Sequence, residues 1–170
     1  MIKRMILGSD GRAELDRMSP QLFQTYVDVP FTAPLLRMPT INGGPRGRYL
    51  LDEKNLFSLM VGMVAVRTGL TRKESALVTS EVRTRWDGYD TRGGPGHADL
   101  YEKKMLLTKY NFRDGYTGLN SPKVVDRPDP VTGPGVIVID LKPISDRMTE
   151  IFELCAMDYD LEAKAFVIPA

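Results

Sequence analysis

The chain has 170 residues, a formal net charge of +1, 42% hydrophobic and 26% charged residues, 15 Gly and 12 Pro. This length makes one ordinary domain, or a small domain with an appendage, and buries roughly two-thirds of the unfolded surface, so neither disulfide nor metal is needed for folding. A single Cys (Cys155) and a single His (His97) exclude a disulfide scaffold and a four-ligand zinc site, and a membrane span is excluded because no apolar run approaches the required length.

The opening residues, Met1-Ile-Lys-Arg-Met-Ile-Leu, are too short an apolar stretch for a secretory signal, and a cytoplasmic protein is expected. Ser19-Pro20 then opens a short helix, with Ser as N-cap and Pro at the first helical position. Leu22, Phe23, Tyr26 and Val27 form its apolar stripe, and Gln21, Gln24 and Thr25 point the other way. Pro30 and Pro34 end it. Residues 37–51 read as a hairpin, with strands at Arg37–Ile41 and Arg48–Leu51 around the turn-forming Asn42-Gly-Gly-Pro-Arg-Gly.

Asp52 caps a helix from Glu53 to about Thr68, with Leu56, Leu59, Met60, Met63 and Val64 on its apolar side and Gly69 closing it. That side is expected to be core, the alternative being a dimer interface permitted by close approach at Gly62. Thr71-Arg-Lys-Glu74 is a capping box that opens a second helix to about Arg85, whose buried face is Ala76, Leu77, Val78 and Val82. Residues 86–99 hold five Gly or Pro among fourteen and read as a linker or exposed loop. Beyond it, Met105–Tyr110 is a candidate strand, although helix and strand readings nearly balance over residues 101–116. Val136–Asp140 is a short β-branched run expected to be a buried strand. Pro143–Ala156 is a helix with Ile144, Met148, Ile151, Phe152 and Cys155 on one face, and Ala165–Ile168 a last strand. The expected fold is α+β: a domain over 1–85, a linker or loop over 86–99, and a small α/β domain over 100–170.

Charge divides with this organisation. Up to Arg92 there are 14 Lys and Arg against 10 Asp and Glu; from Gly93 onward there are 9 against 12. The basic half is the one suited to a polyanion.

The order of a polar-faced helix beginning Ser19-Pro-Gln-Leu-Phe-Gln-Thr-Tyr-Val, a hairpin tipped Asn42-Gly-Gly-Pro-Arg-Gly-Arg-Tyr49, the helix start Leu51-Asp-Glu-Lys-Asn-Leu, and Gly69-Leu-Thr-Arg-Lys-Glu-Ser-Ala resembles the winged helix-turn-helix of the MerR-like family. Its abbreviated phage and prophage regulators are the most similar. The resemblance covers about residues 13–84. It departs from the family in the first helix, for which only Gly11–Met18, about two turns, is available.

The resemblance implies a recognition helix near 19–28 and a basic wing near 37–51. The helix N-terminus at Ser19 would offer N–H groups to a phosphate. Gln21, Gln24 and Thr25 would reach base edges, with Gln suited to adenine. Arg46 and Arg48, beside the turn at Asn42, would follow the backbone or enter the minor groove, and Arg12, Arg17 and Arg37 would add phosphate contacts. The implied protein is a sequence-specific, non-enzymatic transcriptional regulator of double-stranded DNA, without cofactor. It is expected to act as a homodimer on a palindromic site, with the C-terminal domain available for dimerisation or a protein partner. The alternative is a protein-interaction adaptor or phage structural component whose winged helix does not bind DNA.

Other motifs carry less. Gly93-Gly-Pro-Gly-His97 has no strand before it and no Gly-Lys-Ser/Thr after it, so it reads as a loop with a surface His. Asp126, Asp129 and Asp140 lie in turn-rich segments where acidic residues occur without metal. Cys155 reads as a buried small hydrophobe.

Overall fold

The computed structural model describes residues 1–7, 9–10, 15, 36–37, 49–91, 98–108, 122–126 and 136–167. They form a mixed α+β fold with four helices and two antiparallel sheets. The first sheet comprises β1 (Ile2–Leu7), β2 (Leu36–Arg37), β3 (Tyr49–Leu51), β7 (Met157–Asp160) and β8 (Ala165–Phe166), in the spatial order β2-β3-β1-β7-β8. The second comprises β4 (Lys104–Thr108), β5 (Lys123–Val125) and β6 (Val136–Asp140), in the order β5-β4-β6. The helices are α1 (Glu53–Arg67), α2 (Arg72–Thr91), α3 (Ala98–Tyr101) and α4 (Lys142–Cys155).

β1 holds the first sheet together. Its far end pairs with β3 (Ile6 with Leu51, Leu7 with Leu50), and its near end pairs with β7 (Ile2 with Asp160 through Met5 with Met157). Adjacent residues Met5 and Ile6 are both fully buried, so the strand is covered on both faces. Ile6 and Leu51 join the main core, and Met5, Leu50 and Tyr159 form a smaller one on the other face. Tyr159 stacks edge-on against Phe166 of β8 with ring centres 5.1 Å apart. The main core also takes Leu100, Met105, Ile139, Ile144 and Met148, so residues on both sides of 86–99 share one sheet and one core.

α1 starts and stops where its end residues dictate. The Asp52 carboxylate accepts from the Asn55 N–H at 2.9 Å. At the other end Gly69 adopts φ +96°, while its N–H donates to the Val66 carbonyl and that of Leu70 to the Ala65 carbonyl. This is a Schellman closure, and Leu70 is buried beneath it. Burial around α1 is wider than its expected stripe: Phe57, Val61 and Ala65 are fully buried as well, because α2, α4 and the strands enclose the helix. Gly62 faces α2 within the same chain, which assigns its close approach to the core.

The capping box opens α2 as expected: the Thr71 N–H donates to the Glu74 carboxylate at 2.7 Å, and the Glu74 N–H to the Thr71 hydroxyl at 3.2 Å. Two expectations for this helix are corrected. It continues to Thr91 rather than ending near Arg85, because Val78, Val82 and Trp86 repeat every four residues and keep one stripe in the core. Trp86 is thereby buried, with its ring 6.1 Å from Phe57 and 5.7 Å from Tyr101. Leu77, expected in the buried face, lies off that stripe and is exposed.

The C-terminal strands are antiparallel throughout, and β6 is only half covered. Ile139 is buried but Val138 is exposed, so the β-branched run lies in a sheet with one open face rather than in a buried layer. α4 follows its expected stripe, burying Ile144, Met148 and Ile151, with Cys155 only partly covered near its end.

Candidate nucleic-acid interface

The wing is the one part of the expected interface whose frame lies among the described residues. β2 and β3 pair antiparallel, Leu36 opposite Leu50 and Arg37 opposite Tyr49. They close a hairpin whose connection is residues 38–48. β3 ends at Leu51 and α1 begins at Glu53, with only the cap residue Asp52 between them. The other oxygen of the same carboxylate pairs with Lys3 of β1 at 2.7 Å. A single, largely buried carboxylate therefore ties helix start, hairpin and central strand together. Nothing local in the sequence points to Lys3, since it comes 49 residues before its partner.

Of the ten residues expected at DNA, Arg37 is described, at the base of the hairpin in β2. Arg12, Arg17, Ser19, Gln21, Gln24, Thr25, Asn42, Arg46 and Arg48 lie outside the described residues, as do the expected recognition helix, His97 and Asp129.

Two clefts flank α1. One, of about 400 Å³, lies between the near end of β1, the start of α1 and α4, where Lys3, Arg4 and Asp52 face Met148 and Phe152. Arg4 lies 5.5 Å from the centre of the Phe152 ring and donates to the Ala156 carbonyl at 3.1 Å. The other, of about 260 Å³, is floored by Met60, Met63 and Ile144, with Arg67 and Arg147 at its rim.

Two of the acidic residues in turn-rich segments, Asp126 and Asp140, have described partners. Asp126 pairs with Lys103 at 2.6 Å, and this bond, helped by Asp99, holds the Lys103 ammonium above its ordinary pKa against partial desolvation. Asp140 accepts from the Lys142 N–H at 3.1 Å at the start of α4. Among the described residues no group of three His, Cys, Asp or Glu is placed to hold a metal ion, and no described helix is long and apolar enough to cross a membrane.

No family model matches the chain, and no curated protein matches its sequence.

Proposed function

We propose that the N-terminal half is a MerR-like winged helix-turn-helix, and that the chain is a cytoplasmic, non-enzymatic DNA-binding regulator of phage or prophage type. The observation that carries this reading is the pairing of Leu36-Arg37 with Tyr49-Leu50, with the Gly- and Arg-rich segment 38–48 running between the two strands. The capped α1 and the capping-box start of α2 follow in the order the resemblance requires. In this reading Asp52 sets the angle of the wing to α1, so that Arg46 and Arg48 meet the phosphate backbone or minor groove beside a recognition helix at 19–28. A homodimer places two such helices on a palindromic site.

Paired substitutions separate positioning from base reading. Arg46→Ala with Arg48→Ala weakens binding nearly uniformly over sequences and lowers the salt slope by about 1 for each phosphate no longer neutralised. Gln21→Ala or Gln24→Ala relaxes sequence preference instead. Unchanged affinity in the double Arg variant overturns the wing assignment and favours the adaptor reading.

A further inference from the structure

β6 is an edge strand, and the hydrogen bonding around it states which of its residues face outward. The Leu141 N–H donates to the Lys103 carbonyl at 3.1 Å. The register pairs Lys104 with Asp140, Met105 with Ile139, Leu106 with Val138 and Leu107 with Ile137. Bonded and non-bonded pairs alternate along an antiparallel ladder, so Ile139 and Ile137 bond to β4, whereas Val138 and Val136 turn their N–H and C=O groups away from it. Among the described residues no strand lies along that outer side.

Edges of this kind are ordinarily blunted by Lys, Pro, a bulge or brevity. β6 has none of these: it reads Val-Ile-Val-Ile-Asp, and Val138 is 41% exposed. We propose that this edge is a dimer interface, in which β6 of two copies pair antiparallel about a two-fold axis at Val138. The strand complements itself in that register. Val138 lies opposite its own copy and exchanges two N–H···O=C bonds with it, and Val136 falls opposite Asp140. Ile137 falls opposite Ile139 on the face that covers the core, so the apolar layer of each sheet runs on into the other. The charge pattern also fits a second copy. The single charge of the strand meets an uncharged Val, and the two Asp140 residues stand four positions apart, about 13 Å, beyond the screening length of about 8 Å in physiological salt.

This inference rests on the ladder of β6 and not on the reading of the hairpin, and it is tested without nucleic acid. Sedimentation of the full chain is expected to give twice the 19.1 kDa chain mass, with a dissociation constant of about 1 µM or tighter. Val138→Pro removes an outward N–H and no bond to β4, and Val138→Lys places a charge beside its own copy; both are expected to give monomers with unchanged circular dichroism. In the wild type the amide hydrogens of Val136 and Val138 are expected to exchange slowly, and in Val138→Lys the Val136 amide quickly, while those of Ile137 and Ile139 stay slow in both. A monomeric wild type, or a dimer that persists in both variants, overturns the proposal.

Discussion

Gly62 of α1 packs directly against Thr79 and Ser75 of α2. A Cβ built at this position would lie 2.7 Å from the Thr79 methyl group, inside any real contact distance, and 3.7 Å from the Ser75 hydroxyl. Gly62→Ala sets two effects against each other. Replacing Gly by Ala inside a helix gains about 1 kcal/mol of propensity. Forcing an extra methyl into a packed interface costs about 1–3 kcal/mol. Which wins depends on whether Thr79 can yield. It is buried, its β-branched side chain has few rotamers in a helix, and its hydroxyl is held by the Ala76 carbonyl at 2.9 Å. The methyl cannot swing aside without breaking that bond, so the steric cost dominates and Gly62→Ala is expected to destabilise by about 1–2 kcal/mol. Urea unfolding followed by fluorescence of Trp86, the single Trp, measures this directly. Thr79→Ser removes the obstructing methyl and keeps the hydroxyl. Alone it loses about 0.8 kcal/mol of buried methyl; combined with Gly62→Ala it is expected to recover most of the loss, giving a coupling of about 1 kcal/mol or more. A stabilised Gly62→Ala variant, or strictly additive substitutions, would mean that Thr79 does yield and that no steric conflict couples the two positions.

Three further outcomes are expected. Trp86→Ala empties a site beside the Phe57 and Tyr101 rings and should cost about 3–5 kcal/mol in thermal or urea unfolding, since the indole is nearly fully buried. Thr71→Ala removes one arm of the capping box and should cost about 1 kcal/mol, whereas Thr71→Ser should be nearly neutral in the same assay. The Asp160 carboxylate accepts N–H groups from Glu162 and then Ala163, at 2.8 and 3.3 Å, and its pKa is lowered. Its contribution is therefore present above the unfolded-state value of about 3.9 and fades as pH falls through the lower folded value. Asp160→Asn should flatten the acid limb of stability against pH, read from urea midpoints.

The parts of the fold legible in the sequence are those whose causes are local. Asp52, Gly69 and the Thr71–Glu74 box lie within a few residues of the groups they satisfy, and the structure places all of them as expected. β1 and β7 are hidden in the sequence because their partner is at the other end of the chain. Ile2–Leu7 carries a basic pair, Met157–Asp160 carries two Asp, and each becomes a strand through pairing that includes the other, far away in the chain. Trp86 falls in a segment that composition marks as linker, because the glycines after it outweigh one aromatic. In the helix it is the next step of the stripe through Val78 and Val82. The β-branched run of β6 marks it as a strand, but its burial depends on being an edge, and sheet order is not written in five residues. Of the hairpin expected from Asn42-Gly and its flanking strands, the base, Leu36-Arg37 against Tyr49-Leu50, lies among the described residues, while the rest of the strand Arg37–Ile41 and the turn lie outside them. The tie from Lys3 to Asp52 is not legible in the sequence, being a contact between distant segments.

The proposed function requires the N-terminal half to engage the phosphate backbone of DNA. Its most direct test is fluorescence anisotropy of the full chain on a random-sequence duplex, repeated at several salt concentrations. Binding is expected whose log K falls linearly with log salt, with a slope of about −3.6 or steeper, corresponding to four or more neutralised phosphates. No binding at about 50 mM salt, where non-specific affinity of roughly micromolar strength is expected of a dimeric regulator, would contradict it.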